Sequence, residues 1–191
     1  MTQLRRRLAG LSMLLAVALP CQAMAETLAG ATMPDTMTVQ GSTLHLNGMG
    51  LRTFTFLQIH GYVAGLYLTS PAHTEAAILA SPGLKLLQIR YLHGAGIGRV
   101  QEEFREGRRV NCAAGCPPSE DQSFAQLYQT ARAVKAGDTT TYIYGPTGVE
   151  VLFNDKSLAM IKDPDFGRRM LDSMIGAHPP SVSLRDGLLG G

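Results

Sequence analysis

Apolar side chains recur at every second position in several segments of this 191-residue chain, which is the period of a strand with one buried face. The pattern predicts strands within residues 38–46, 48–56, 53–69, 84–92, 139–144, 149–153 and 157–161. Gly41-Ser42 is predicted to form a tight turn in the first segment. Residues 53–69 form either two adjacent strands or one long bulged strand.

Helical spacing marks other segments. Ile97, Val100 and Phe104 predict a helix over residues 97–109, with Gly107 continuing the same inward stripe. Further helices are predicted over residues 74–79, 119–134 and 181–189, and from Asp163-Pro164 onwards. Because strands and helices do not alternate regularly, we expect an α+β fold in which a layer of helices packs on a large, mainly antiparallel sheet.

The first 25 residues have the pattern of a secretory signal peptide. Three arginines at 5–7 precede a short apolar run at 8–20, and Ala23-Met24-Ala25 is typical of a cleavage site. We therefore expect a periplasmic or secreted protein. Residues 26–36 are predicted to be a flexible leader, and residues 37–191 to form one domain.

The charge of the chain changes once this segment is set aside. The sequence has 17 Lys and Arg and 15 Asp and Glu, and three of the arginines lie in the predicted signal peptide. The remaining chain is nearly neutral and has no basic stripe, so nucleic acid is not an expected partner. No later segment is long and apolar enough to span a membrane. We expect a monomer without a cofactor.

Cys112 and Cys116 are the only cysteines after the predicted signal peptide. In an oxidising compartment they are expected to form a local disulfide. The alternative is a metal site, which needs two further ligands such as His93 and His178. Nothing in the sequence places these histidines near the cysteines, so no metal is predicted.

Arg52 lies in the segment GMGLRTFTF, and alternation places it on the same face as Phe54 and Phe56. A guanidinium cannot lose its charge when it is buried, so it needs an anion, ordered water or a route to solvent. The simplest interpretation is that its stem covers apolar surface while its head reaches water or a carboxylate.

Three motifs add a resemblance to this picture. The segments GMGLR, YVAGLYL and LDSMIGAHPPSVSLRDGLLG resemble the chalcone isomerase-like superfamily, in particular its secreted bacterial branch, and the resemblance extends from Val39 to Gly190. It implies an open-faced β-sandwich, a large antiparallel sheet packed by helices. Members of the superfamily include plant flavonoid enzymes and plastid fatty-acid-binding proteins.

The resemblance also suggests roles for individual residues. Arg52 matches the arginine that stabilises negative charge in the plant enzymes, and Ser173 matches a polar contact on the last long helix, with Met174 beside it. Tyr62 stands where the enzymes have a catalytic threonine. Val100 and Gly107 stand where they have a tyrosine and an asparagine, so the cyclisation activity is not expected here.

We therefore predict a cleft that binds a fatty acid or similar apolar carboxylate. The predicted ligand-binding residues are Arg52, Phe54, Phe56, Tyr62, Val100, Phe104, Met170, Ser173 and Met174. A second hypothesis is an isomerase acting on an enone-like substrate, with Arg52 as electrostatic stabiliser and Tyr62 or Ser173 as donor. A third is a structural or interaction protein whose cleft is filled by its own side chains.

Overall fold

The structure is a computed structural model that describes residues 25–54 and 59–191. Among these residues a two-stranded hairpin precedes a seven-stranded antiparallel sheet in which each strand pairs with its neighbours in the chain. The hairpin consists of β1 (Ala25–Leu28) and β2 (Ala31–Pro34). The sheet consists of β3 (Thr36–Val39), β4 (Ser42–Phe54), β5 (Ile59–Leu68), β6 (Lys85–Tyr91), β7 (Thr139–Gly145), β8 (Gly148–Phe153) and β9 (Lys156–Ile161).

Five helices are described: α1 (Glu75–Ala80), α2 (Ile97–Asn111), α3 (Glu120–Gln129), α4 (Pro164–Ile175) and α5 (Val182–Leu188). The Asp163 side chain caps α4 by accepting a hydrogen bond from the Phe166 N–H, and Ser181 caps α5 in the same way through the Leu184 N–H. With helices on one face of a curled antiparallel sheet, the structure confirms the predicted α+β fold, an open-faced β-sandwich.

The segment predicted as a flexible leader is instead ordered as the β1–β2 hairpin. Ala31 and Met33 are fully buried, whereas Thr32 between them is exposed. These side chains pack with Met49 and Val63 on the face of the sheet opposite the helices. The alternating segment is short and rich in small side chains, so the sequence pattern alone does not distinguish it from a leader. Its apolar side chains are buried only by contact with the sheet. Of the predicted signal peptide, residues 1–24 lie outside the described part of the chain.

Helix α3 is shorter than the helix predicted over residues 119–134, because it ends at Gln129. After it, the backbone N–H of Val134 donates to the Ala95 carbonyl, and the Ala95 N–H donates to the Val134 carbonyl. Because Val134 makes this bridge to the residue before Gly96 and α2, residues 130–134 do not continue the helix. Ser119 precedes α3, but its side chain makes no capping hydrogen bond.

The main core lies between the sheet and the helices. Leu66, Leu87 and Val151 on the sheet are fully buried there, together with Leu171 of α4 and Leu184 of α5. Phe104 of α2 is half-buried against this core, and no residue of α2 is fully buried. Helix α2 is thus the least deeply packed of the long helices.

The glycines of the GMGLR segment allow α5 to lie directly on β4. A Cβ atom at Gly48 would meet backbone atoms of Gly187 and Gly190, and one at Gly50 would meet the backbone of Leu184. Asn47, where the β4–β5 register shifts, reaches the same helix, because its Nδ2 donates to the Leu188 carbonyl at 2.9 Å. This contact helps to hold the end of α5 against β4.

Cys112 and Cys116 form a disulfide between the end of α2 and the loop leading to α3, which confirms that prediction. Their sulfurs and a carboxylate oxygen of Glu120 lie within 4.8 Å of one another. Sulfurs bonded to each other are not thiolates, however, and Glu120 is already paired with Arg169. In the part of the chain that the structure describes, no helix has the length and apolar character needed to cross a membrane.

Candidate functional site

Arg52 lies near the end of β4 and pairs across the sheet with Tyr62 of β5. Its guanidinium carbon is 4.7 Å from the centre of the Phe54 ring, so the two side chains share a face as the alternation predicts. The side chain is 20% exposed, which means that most of it is removed from water. Phe56, the third member of the predicted set, lies outside the described residues.

Besides the Phe54 ring, two polar groups of the protein lie near the Arg52 guanidinium. Its Nη1 donates to the Pro180 carbonyl, in the connection between α4 and α5. Its Nη2 lies 3.8 Å from Oε2 of Glu103 on α2, which is too long for a hydrogen bond. The buried Nε has no hydrogen-bond partner among the described residues. Arg52 is therefore held by a carbonyl and an aromatic ring, with a carboxylate nearby that it does not fully engage.

Glu103 is already bound by a second cation. Nη2 of Arg99, one turn earlier on α2, lies 2.6 Å from Oε1 of Glu103. The Arg99 guanidinium also sits 5.1 Å from the centre of the Phe54 ring, so two cations flank one ring. Two fixed positive charges share a single carboxylate, and this cluster carries a net positive charge.

A buried and a half-buried tyrosine form the floor next to Arg52. The ring of Tyr62 packs edge-on against Phe54 at 6.4 Å and against Tyr91 at 6.1 Å between ring centres. Burial raises the pKa of Tyr62 well above its usual range, although the charge of Arg52 opposes the rise. Burial likewise raises the pKa of Tyr91, whose hydroxyl lies 3.3 Å from Thr140 Oγ1. Both phenols stay protonated at neutral pH, so they can donate hydrogen bonds but are weak acids.

Helix α2 covers this floor. Val100 and Phe104 are half-buried and line a small cavity together with Tyr91, Thr140 and Tyr142. The cavity has a volume of about 10 Å³, which is about what a single water molecule requires. Ile97, the first residue of the predicted inward stripe and of α2, is 48% exposed instead. In this conformation, α2 lies closed over the floor.

The α4 residues predicted for the site lie in the helix layer. Met170 and Met174 are half-buried against the main core. The Ser173 hydroxyl donates to the Met170 carbonyl at 2.7 Å, a bond within its own helix. Neither methionine nor Ser173 is among the residues that line the small cavity with Val100 and Phe104.

Sequence reasoning missed two partners of Arg52 and one tyrosine of the floor beside it. Glu103 belongs to a charge-rich stretch that indicates a solvated helix face, and the Pro180 carbonyl has no side-chain signal at all. Tyr91 was identifiable, because alternation in β6 places it on the same face as Leu87 and Ile89.

Comparisons with known proteins agree with this architecture. A family model described as chalcone isomerase-like matches residues 25–190. The chain is also similar to a crystal structure of a fatty-acid binding protein from Arabidopsis thaliana, with a TM-score of 0.68 and 18% sequence identity, covering 88% of this chain and 96% of that chain. At this identity the similarity shows a common fold. A search of curated protein sequences finds no match.

Proposed function

Because this chain belongs to the chalcone isomerase-like family, we propose that it is a non-catalytic binding protein for a fatty acid or a similar apolar carboxylate. The ligand carboxylate contacts Arg52, and its tail lies between α2 and the sheet. The observation that carries the proposal is the charge balance at Arg52. Among the described residues, Glu103 is the only carboxylate within 4.0 Å of either Arg52 or Arg99.

A ligand carboxylate would supply the second negative charge that this cluster lacks. Arginine presents five N–H donors in a planar fork, and its geometry matches a carboxylate. Nη1 of Arg52 is occupied by the Pro180 carbonyl, whereas Nη2 is only loosely engaged and Nε has no described partner. Nε and Nη2 lie on one edge of the guanidinium, which is an edge that can bind a carboxylate through both oxygens.

Entry of a tail requires α2 to move, since the cavity that Val100 and Phe104 line beneath it measures about 10 Å³ and Arg52 is not among its lining residues. Two features favour this movement. No residue of α2 is fully buried, so the helix itself contributes only half-buried apolar side chains such as Val100 and Phe104 to this contact. The Glu103 contact that joins α2 to Arg52 is long and partly exposed, and a pair of that kind contributes at most about 1 kcal/mol.

The surroundings favour binding over catalysis. Val100 and Gly107 supply no polar groups on α2, and the Ser173 hydroxyl donates its proton to the Met170 carbonyl. The raised pKa of Tyr62 makes its phenol a poor proton donor to a reaction. The isomerase hypothesis therefore gains no support from this geometry.

We also propose that the protein acts in the periplasm or outside the cell. The signal-peptide pattern of the first 25 residues supports this location, and so does the Cys112–Cys116 disulfide, because such bonds persist in oxidising compartments.

The test is an NMR titration with decanoate below its micelle concentration, following the backbone amides of Val63, Tyr91 and Val100. We expect saturable shifts at these amides and at least a tenfold weaker affinity in Arg52→Gln, because a hydrogen bond to a charged group contributes about 1.5–3 kcal/mol. Arg109→Gln is the matched control, since Arg109 is an exposed arginine of α2 that pairs with Glu106. Equal affinity in Arg52→Gln and Arg109→Gln, or no shift at these amides, would overturn the proposal.

A further inference from the structure

A groove much larger than the cavity under α2 lies at the opposite end of the sheet from Arg52. Its volume is about 550 Å³, within the range of small-molecule sites. Its lining includes Lys85 at the start of β6 and Tyr144 near the end of β7, which pair with each other. Arg52 lies near the opposite end of the sheet. There it pairs with Tyr62 of β5, which in turn pairs with Tyr91 at the end of β6. The groove and the Arg52 cleft are therefore separate places.

Two cations line this groove. Lys85 Nζ donates to the Ser81 carbonyl at 2.7 Å, and Arg168 Nη1 donates to the Leu79 carbonyl at 3.0 Å. Both side chains are thus fixed at the carboxyl end of α1. The lysine has two further N–H donors and the arginine has four, and these are available to a ligand.

The described residues that line the groove include no carboxylate. In the described part of the chain, neither Lys85 nor Arg168 has an acidic partner within 4.0 Å, although seven other arginines do. Glu75 on α1 is influenced by the charge of Arg168, but it does not line the groove. Partial burial lowers the pKa of Lys85, and the charge of Arg168 lowers it further. A negative group between the two cations would relieve this repulsion.

The remaining walls of the groove are largely apolar. Leu79 of α1, Leu84, Tyr144 and Leu171 of α4 all contribute to it. An anion without an apolar part would leave these walls in contact with water. The combination of two cations at one place and an apolar lining matches a charged head group joined to a hydrocarbon tail.

From this geometry we infer a second binding site, in which Lys85 and Arg168 hold the carboxylate or phosphate head group of an amphiphile and the tail lies along the half-buried Leu79 and Leu84. This site is independent of Arg52. It requires no movement of α2, because the groove is already open.

The same kind of NMR titration tests the inference at the amides of Gly83, Gly145 and Gly148, which line the groove. Decanoate and decyl phosphate are each expected to give saturable shifts there, and the two arms report which head group is preferred. Decanol and inorganic phosphate, which carry only the tail or only the charge, are expected to bind at least tenfold more weakly. Equal affinity for decanol or for inorganic phosphate would overturn the inference.

Variants separate this site from the Arg52 cleft. Arg168→Gln changes an exposed side chain. The double variant Arg168→Gln/Lys85→Gln is expected to lower the affinity measured from the groove shifts at least tenfold. Lys156→Gln and Arg132→Gln are controls of the same residue types, since both side chains are exposed and neither lines the groove. Arg52→Gln is expected to leave the groove shifts unchanged. If Arg52→Gln abolishes them, or if Arg168→Gln and the double variant leave the affinity unchanged, the inference fails, whatever happens at Val63, Tyr91 and Val100.

Discussion

Arg52 and Glu103 approach each other to 3.8 Å between Nη2 and Oε2, across the boundary between the sheet and α2. The same carboxylate lies 2.6 Å from Arg99, its neighbour on the helix. A carboxylate of the protein therefore stands close to the place where we propose that a ligand carboxylate binds. In this arrangement Glu103 is a competitor of the ligand as well as a contact that holds α2 closed.

Replacing Glu103 by Gln is expected to tighten decanoate binding at the Arg52 cleft. The variant removes the competing charge and the contact between α2 and Arg52. The gain should reach at most about fivefold, because partly exposed ion pairs contribute up to about 1 kcal/mol. The NMR titration at Val63, Tyr91 and Val100 measures it.

Glu106→Gln is the matched control for this variant, since Glu106 is on the same helix and pairs with the exposed Arg109. Unchanged or weaker decanoate binding in Glu103→Gln would show that Glu103 does not compete with the ligand.

The GMGLR segment could be interpreted from sequence only in part. Alternation correctly placed Arg52 and Phe54 on one face, because a strand fixes the direction of its side chains locally. The role of Gly50 was not predictable, since the need for a glycine arises from α5, more than a hundred residues later in the chain. The same holds for the Pro180 carbonyl, which contacts Arg52 only through the tertiary fold.

Gly50→Ala is expected to lower the free energy of unfolding. An alanine Cβ at this position would lie 2.9 Å from Leu184 Cα, so α5 or β4 must shift. Overpacking of this kind costs about 1–3 kcal/mol. Urea unfolding followed by circular dichroism measures the change.

Gly107→Ala provides the opposite sign as a control. Gly107 lies inside α2, and a Cβ there meets nothing within 4 Å. This variant should gain about 0.5–1 kcal/mol, because alanine favours the helix over glycine. If Gly50→Ala leaves the free energy of unfolding unchanged, or raises it as Gly107→Ala does, the close packing of α5 on β4 is contradicted.

Removing the disulfide in Cys112→Ala/Cys116→Ala is expected to cost about 2 kcal/mol of unfolding free energy, since it closes a loop of only a few residues. The loop joins the end of α2 to α3 and lies far along α2 from Val100. Decanoate binding should therefore stay within about twofold of the unmodified protein in the NMR titration. If the variant instead loses the dispersion of its amide signals, it is unfolded, and the disulfide is then required for folding.

The sequence predicted a flexible leader where the N-terminal hairpin lies and a solvated helix face at Glu103, and the two predictions fail for different physical reasons. The hairpin is stabilised by burial of Ala31 and Met33 on the sheet, a contact that local pattern does not encode. Glu103 carries a charge that usually indicates solvent, and only the approach of β4 turns it toward a half-buried guanidinium.

Asp138 makes a pH-dependent contribution that can be tested separately from ligand binding. Its carboxylate accepts hydrogen bonds from Asn154 Nδ2 at 3.0 Å and from the Lys135 backbone N–H at 2.8 Å. These two bonds hold the pKa of Asp138 below its ordinary value of 3.8, and the bond from Asn154 has the larger effect. The unfolded chain then binds the proton more tightly than the folded protein. The stabilisation is present above about pH 3.8 and is lost as the pH falls through the lower folded pKa.

Thermal unfolding of the natural protein and of Asp138→Asn, from about pH 7 to about pH 2, measures this contribution. We expect the variant to unfold at a lower temperature at neutral pH and the difference to shrink in acid, because protonation removes from the natural protein the charge that the variant lacks. Asp155→Asn is the control, since Asp155 is exposed in the adjacent turn. A difference between Asp138→Asn and the natural protein that stays constant with pH, or that Asp155→Asn reproduces, would mean that the Asp138 hydrogen bonds do not depend on its charge.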